Sequence, residues 1–155
     1  STSATAPSIT ASGWIAVSSA ASFSASVPYT LSGGDGSKTV YVWYRDAAGN
    51  ISDAASDSII LDMTGPSVAI TSPTRYPNYN TTRSTINLGG SSSDTSSGVM
   101  RVTWENDRGG SGTASGTTSW SISGISLMTG KNVITVTARD RANNTNTATI
   151  NIYYQ

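Results

Sequence analysis

Residues Gly36–Asn50 read GSKTVYVWYRDAAGN, and residues Gly130–Asn144 read GKNVITVTARDRANN. Gly36, Arg45, Asp46, Ala48 and Asn50 return at one constant offset as Gly130, Arg139, Asp140, Ala142 and Asn144. Both copies alternate. Val40, Val42 and Tyr44 fall on one face of the first, with Tyr41, Trp43 and Arg45 on the other. In the second, Ile134, Val136 and Ala138 oppose Val133, Thr135, Thr137 and Arg139. A period of two is the mark of a β-strand. Apolar residues on one side and hydroxyls on the other describe a half-buried antiparallel strand.

Each strand ends in the same turn chemistry. Asp46 and Asp140 can accept hydrogen bonds from the backbone two residues on. Gly49 stands where a left-handed residue closes a short hairpin. Asn143, a tolerant substitute, takes its place in the second copy. A second strand follows each turn, Ser56–Asp62 in the first copy and Thr147–Tyr154 in the second.

Working outward, alternation predicts seven strands after Gly65: Ser67–Ser72, Ser84–Gly90, Val99–Glu105, Gly112–Ser115, Thr118–Ser123, Asn132–Arg139 and Thr147–Tyr154. Seven short strands in ~90 residues describe an immunoglobulin-like sandwich. The expected core is Val68, Ile70, Ile86, Leu88, Val102, Trp104, Trp120, Ile122, Ile134, Val136, Ile150 and Ile152. No apolar pattern of helical period runs for three turns, so the expected class is all-β: two tandem immunoglobulin-like units, the first shortened or incomplete. Gly65 and Pro66 interrupt strand pairing, which divides the chain into 1–64 and 65–155.

Composition narrows the chemistry. The 155 residues carry nine basic and nine acidic groups, so no basic field attracts nucleic acid or an anionic membrane. Charged residues are only 12% of the chain; Ser and Thr, roughly a third of it, supply much of the surface polarity. There is no Cys and no His. Disulfides and thiolate chemistry are excluded, and the commonest general base and zinc ligand are missing. No apolar run is long enough to cross a bilayer as a helix. Ser1 reads equally as a mature terminus or as a cut within a longer chain.

The stretch YTLSGGDGSKTVYVWYRDAAGN, followed by SDSIILDMTGP, resembles the immunoglobulin-like repeats strung along large exported bacterial proteins. AITSPT, STINLGGSSSD, VTWEND, GTASGTTSW and GKNVITVTARDRANN together resemble the immunoglobulin-like module attached to some bacterial glycan-degrading enzymes. The two resemblances span nearly the whole chain. They imply an extracellular or cell-surface bacterial setting and a spacer, adhesive or accessory role rather than catalysis.

Residues 1–65 echo 91–155, with Trp14 near Trp104 and Tyr29 near Trp120. Thr5–Thr10 (TAPSIT) also echoes Thr64–Thr71 (TGPSVAIT), which would make the first unit a contracted whole domain. Either way it is short of strands. A sandwich short of strands leaves a sheet edge open. One expectation is therefore self-association, with a strand added from another chain and Trp14, Tyr41 and Trp43 at the interface, head to tail into a fibre. The other is ordinary variation in strand number.

Three further constellations remain. Glu105 and Asp107 are the only plausible carboxylate pair for glycoside hydrolysis, but they sit in a Gly-rich turn, and no activated nucleophile accompanies them; the expectation is no catalysis. Asp62, at the linker, and Asp94, in the oxygen-rich loop SSSDTSSG, are the candidate ligands of a calcium ion, against simple turn capping. No other cofactor is implied. Tyr76 and Tyr79, in the loop RYPNYNTTR, are candidates for contact with polysaccharide, against Tyr79 plugging the end of the sandwich. Asn50, Asn80 and Asn143 lie in Asn-x-Ser/Thr sequons and read as turn residues.

Overall fold

The computed structural model describes residues 1–18, 22 and 24–155, and it divides into two compact units, Ser1–Leu61 and Asp62–Gln155. Its regular structure is all β.

In the first unit, β1 (Gly36–Val42) and β2 (Ala55–Leu61) form a two-stranded antiparallel sheet, in register from Gly36 opposite Leu61 to Val42 opposite Ala55. An isolated bridge joins Arg45 to Ile51 beyond it. Asp46 closes the intervening turn, but its carboxylate is held by the residue four positions on instead of two. Its two carboxylate oxygens accept the backbone N–H and the side-chain amide of Asn50 at 2.8 and 2.7 Å. Among the described residues, the strands expected upstream of Gly36 are not formed. The sequence there does alternate, with Ala25, Val27, Tyr29 and Leu31 set against Ser26, Pro28 and Thr30, but Pro28 has no N–H to donate to a sheet ladder. The unit therefore buries little: Val42, Tyr44, Ile59 and Ile60 all remain about half exposed or more.

The second unit carries eight strands. A five-stranded sheet runs in the order β4 (Asn78–Thr81), β10 (Thr145–Tyr154), β9 (Gly130–Asp140), β6 (Val99–Asn106), β7 (Ser111–Thr113). A three-stranded sheet runs β3 (Ser67–Ser72), β5 (Thr85–Ser93), β8 (Ser119–Ser126). Every pairing is antiparallel except that of β4 with β10. All seven strands expected after Gly65 are present. The eighth, β4, lies in RYPNYNTTR, which reads as a loop.

Alternation does the packing. Along β9, Asn132, Ile134, Val136, Ala138 and Asp140 are buried while the residues between them are partly exposed. With Ile86, Leu88, Val102, Trp120, Ile122, Ile125, Ile150 and Ile152 the apolar members make one continuous core. At roughly 1.5–3 kcal/mol per buried large side chain, this layer is the main source of stability. Val68, Ile70 and Trp104, expected inside, pack against the core only partly buried; Ile125 and Leu127, not expected, are fully inside it. Gly90 makes room for Trp120: a Cβ there would lie 2.0 Å from the Ala69 carbonyl oxygen and 2.3 Å from the indole.

One end of the core is polar. Asn132, wholly buried, accepts from the Met128 N–H and donates to the Met128 and Gly130 carbonyls, while Asn106 donates to the Ser126 carbonyl and to Asn132. This network satisfies the β8–β9 turn from inside, as a buried amide must be to avoid a desolvation cost.

Candidate functional site

The opposite end of the second unit gathers acids. Asp62 precedes β3, Asp94 sits in the β5–β6 loop, and Asp140 ends β9. One carboxylate oxygen from each lies within 4.8 Å of the other two. Asp140 is fully buried and Asp62 is 8% exposed.

Local hydrogen bonds fix all three. Asp140 accepts the Asn144 backbone N–H on Oδ1 and its side-chain amide on Oδ2, at 2.8 and 2.9 Å, reproducing the Asp46–Asn50 turn. The Asn144 amide also donates to the main-chain carbonyls of Asp62 and Thr64, at 3.1 and 3.4 Å. Gly65 then passes so close to β10 that a Cβ would sit 2.7 Å from the Thr145 carbonyl oxygen. Asp94 Oδ1 accepts three successive N–H groups, from Ser96, Ser97 and Gly98, leaving Oδ2 outside these bonds. Asp62 Oδ1 accepts the Thr64 N–H at 3.1 Å; its Oδ2 is buried and has no hydrogen-bond partner.

Convergence is costly. Two unit charges 4.8 Å apart repel by about 3 kcal/mol at an effective dielectric near 20. The N–H donors offset this at Asp94 and Asp140. At Asp62 a single N–H does so, which leaves one buried oxygen uncompensated.

The sequence pairs Asp62 with Asp94, and the structure brings the two together. Asp140 completes the group. Its role as the hairpin's turn residue is equally visible in the sequence, but a capping role and an inward carboxylate are compatible, and only the fold shows both.

The other candidates are dispersed. Tyr76 is 78% exposed, whereas Tyr79 lies on β4 and packs partly buried against the core, so the two do not form an exposed aromatic pair. In the first unit, Tyr41 and Trp43 stack with ring centroids 6.0 Å apart and planes inclined by 25°. Trp14 is half-buried and donates its indole N–H to the Ser8 carbonyl; the Arg45 guanidinium lies 5.2 Å from its ring centroid, a cation–π contact. The main chain of Tyr41 exchanges two hydrogen bonds with Ser1, at 2.8 and 3.0 Å, so this part of the β1 edge is engaged. Glu105 borders a shallow groove of about 330 Å³ with Thr103, Thr135 and Thr137, and the Asp107 carboxylate accepts the Val133 N–H.

No curated protein matches the chain. Among solved structures, the fibronectin(III)-like modules of CbhA from Clostridium thermocellum are similar, with a TM-score of 0.51 and 16% identity. The alignment covers 79% of this chain and 64% of that one, so the chain spans less than two thirds of its length; the likeness is one of fold. Residues 66–155, the whole eight-stranded sandwich, match the family model described as glucodextranase, domain B, and the chain belongs to that family.

Proposed function

We propose that this chain is a non-catalytic accessory module of a secreted bacterial glycan-degrading enzyme, and that its work is to space and orient other parts of that enzyme. The observation that carries this reading is the match of the complete sandwich to a domain of such an enzyme. Its side chains agree. The sequence has neither His nor Cys, and the Asp107 carboxylate is engaged by the Val133 N–H, which favours a non-catalytic role. Tyr76 stands exposed while Tyr79 packs against the core, which favours a spacer over a polysaccharide-gripping aromatic pair.

Two measurements test the reading. The reading frame around the chain should encode a carbohydrate-active catalytic domain; a frame holding only immunoglobulin-like repeats overturns it. Electrophoresis through gels with embedded polysaccharide should show unretarded migration; retardation abolished by Tyr76→Ala would make the module a glycan binder instead.

A second reading, a structural or adhesive subunit that self-associates through the hairpin of the first unit, rests on the exposure of Ile59 and Ile60, about 60% each. A two-stranded sheet is marginal by itself in water. Light scattering across a concentration series separates the readings: constant monomer mass favours the spacer, and mass rising with concentration favours assembly.

A further inference from the structure

We infer that Asp62, Asp94 and Asp140 form a binding site for one calcium ion. Two independent observations point there. Three carboxylates from segments far apart in sequence converge to within 4.8 Å. One of them, Asp62, is more than nine-tenths buried and keeps an oxygen with no hydrogen-bond donor. A buried carboxylate oxygen that no protein donor reaches is stabilised by a cation seated beside it.

The donors select the ion. They are all oxygen, in a chain with neither His nor Cys, which excludes the nitrogen and sulfur ligation of zinc and copper. Calcium holds oxygens at about 2.3–2.6 Å, so two ligands of one ion stand up to roughly 5 Å apart, whereas magnesium's shorter bonds hold them within about 4.2 Å. Three oxygens within 4.8 Å of one another can share the larger ion, which accepts several protein oxygens where magnesium keeps several waters. Asp94 and Asp140 remain able to ligate, because their hydrogen bonds leave lone pairs on the carboxylates. Three protein carboxylates leave the rest of a six-to-eight-fold shell to main-chain oxygens and water.

The ligands come from the segment before β3, the β5–β6 loop and the β9–β10 hairpin. The ion therefore ties the start of the second unit to two loops, in addition to the hydrogen bonds that Asn144 and Arg141 already make there. Calcium is thus a conditional staple on the segment leading into β3.

The test is calorimetric titration of chelator-stripped, buffer-exchanged protein with CaCl2, and separately with MgCl2, alongside thermal unfolding with and without each salt. One calcium per chain is expected, with half-saturation between about 10 µM and 1 mM, the span of sensor and extracellular sites, a higher melting temperature in calcium, and a weaker response to magnesium. Asp62→Asn should abolish the calcium response, and Asp94→Asn provides the same reading should the first variant fail to fold. Asp57→Asn, in the exposed strand β2, should keep it. Absence of binding heat together with an unchanged melting temperature overturns the site. So does a magnesium response as strong as that of calcium, or a full calcium response in both ligand variants.

Discussion

Asn144 holds Asp140 by both ends of its own residue, backbone N–H to Oδ1 and side-chain amide to Oδ2, and then reaches across to the carbonyls of Asp62 and Thr64. One amide thereby closes the β9–β10 hairpin and anchors the segment that leads into β3. Asn144→Ala removes these side-chain bonds and leaves Asp140, already buried, with a donor fewer. Destabilisation of about 1–3 kcal/mol is expected in urea unfolding of the second unit. Asn144→Asp, which places a fourth carboxylate in the group, should cost more.

Asp46 repeats the same turn in the open. The Asn50 side-chain amide, followed by the Asn50 backbone N–H, holds its carboxyl below the ordinary aspartate value of 3.8. The folded value lies under the unfolded one, so the group contributes stability that is present above the unfolded value and lost as pH falls through the folded one. Carboxyl carbon NMR should show a midpoint for Asp46 below 3.8, returning toward it in Asn50→Ala.

Gly90 has no space for a side chain. Gly90→Ala drives a methyl into the Ala69 carbonyl and the Trp120 ring, and β5 lies at the centre of its three-stranded sheet. Loss of about 2 kcal/mol or more is expected, with a shift in Trp120 fluorescence. Gly124, where a Cβ meets nothing, makes the useful contrast, since any cost of Gly124→Ala there comes from its φ of +72° alone.

Ile134 and Ile150, paired on β9 and β10, are both almost wholly buried. Truncating either to Ala should cost about 2–5 kcal/mol by cavity formation. Tyr76→Ala, on an exposed side chain, should change stability by no more than about 0.5 kcal/mol. Thermal unfolding checks all three.

What the sequence disclosed follows from what periodicity can encode. β9 alternates over its whole length, and its inward set is found inside. β4 has four residues and one large apolar side chain, Tyr79, too few to show a period; it exists because β10 offers a parallel partner, with Asn151 opposite Asn78, and a pairing between distant segments leaves no local trace. Ile125 and Leu127 were hidden by Gly124, which reads as a strand end, yet β8 continues through it and pairs Ile125 with Ile86 past a register shift. In the first unit the repeated hairpin was legible in Gly36–Asn50; the residues before it also alternate, at Ala25, Val27, Tyr29 and Leu31, yet no strand forms among the described ones, and Pro28 in their midst cannot donate to a ladder. Of the acid cluster, Asp62 and Asp94 could be paired from their chemistry. Asp140 could not, because a turn-capping Asp and a converging one look the same until the fold places them.

The parallel seam between Asn78–Thr81 and Asn151–Tyr154 also sets how the second unit bears load. Tension applied at its two ends pulls these strands past one another along their length. The rungs must then rupture together instead of peeling in succession, so the second unit is expected to resist extension from its ends.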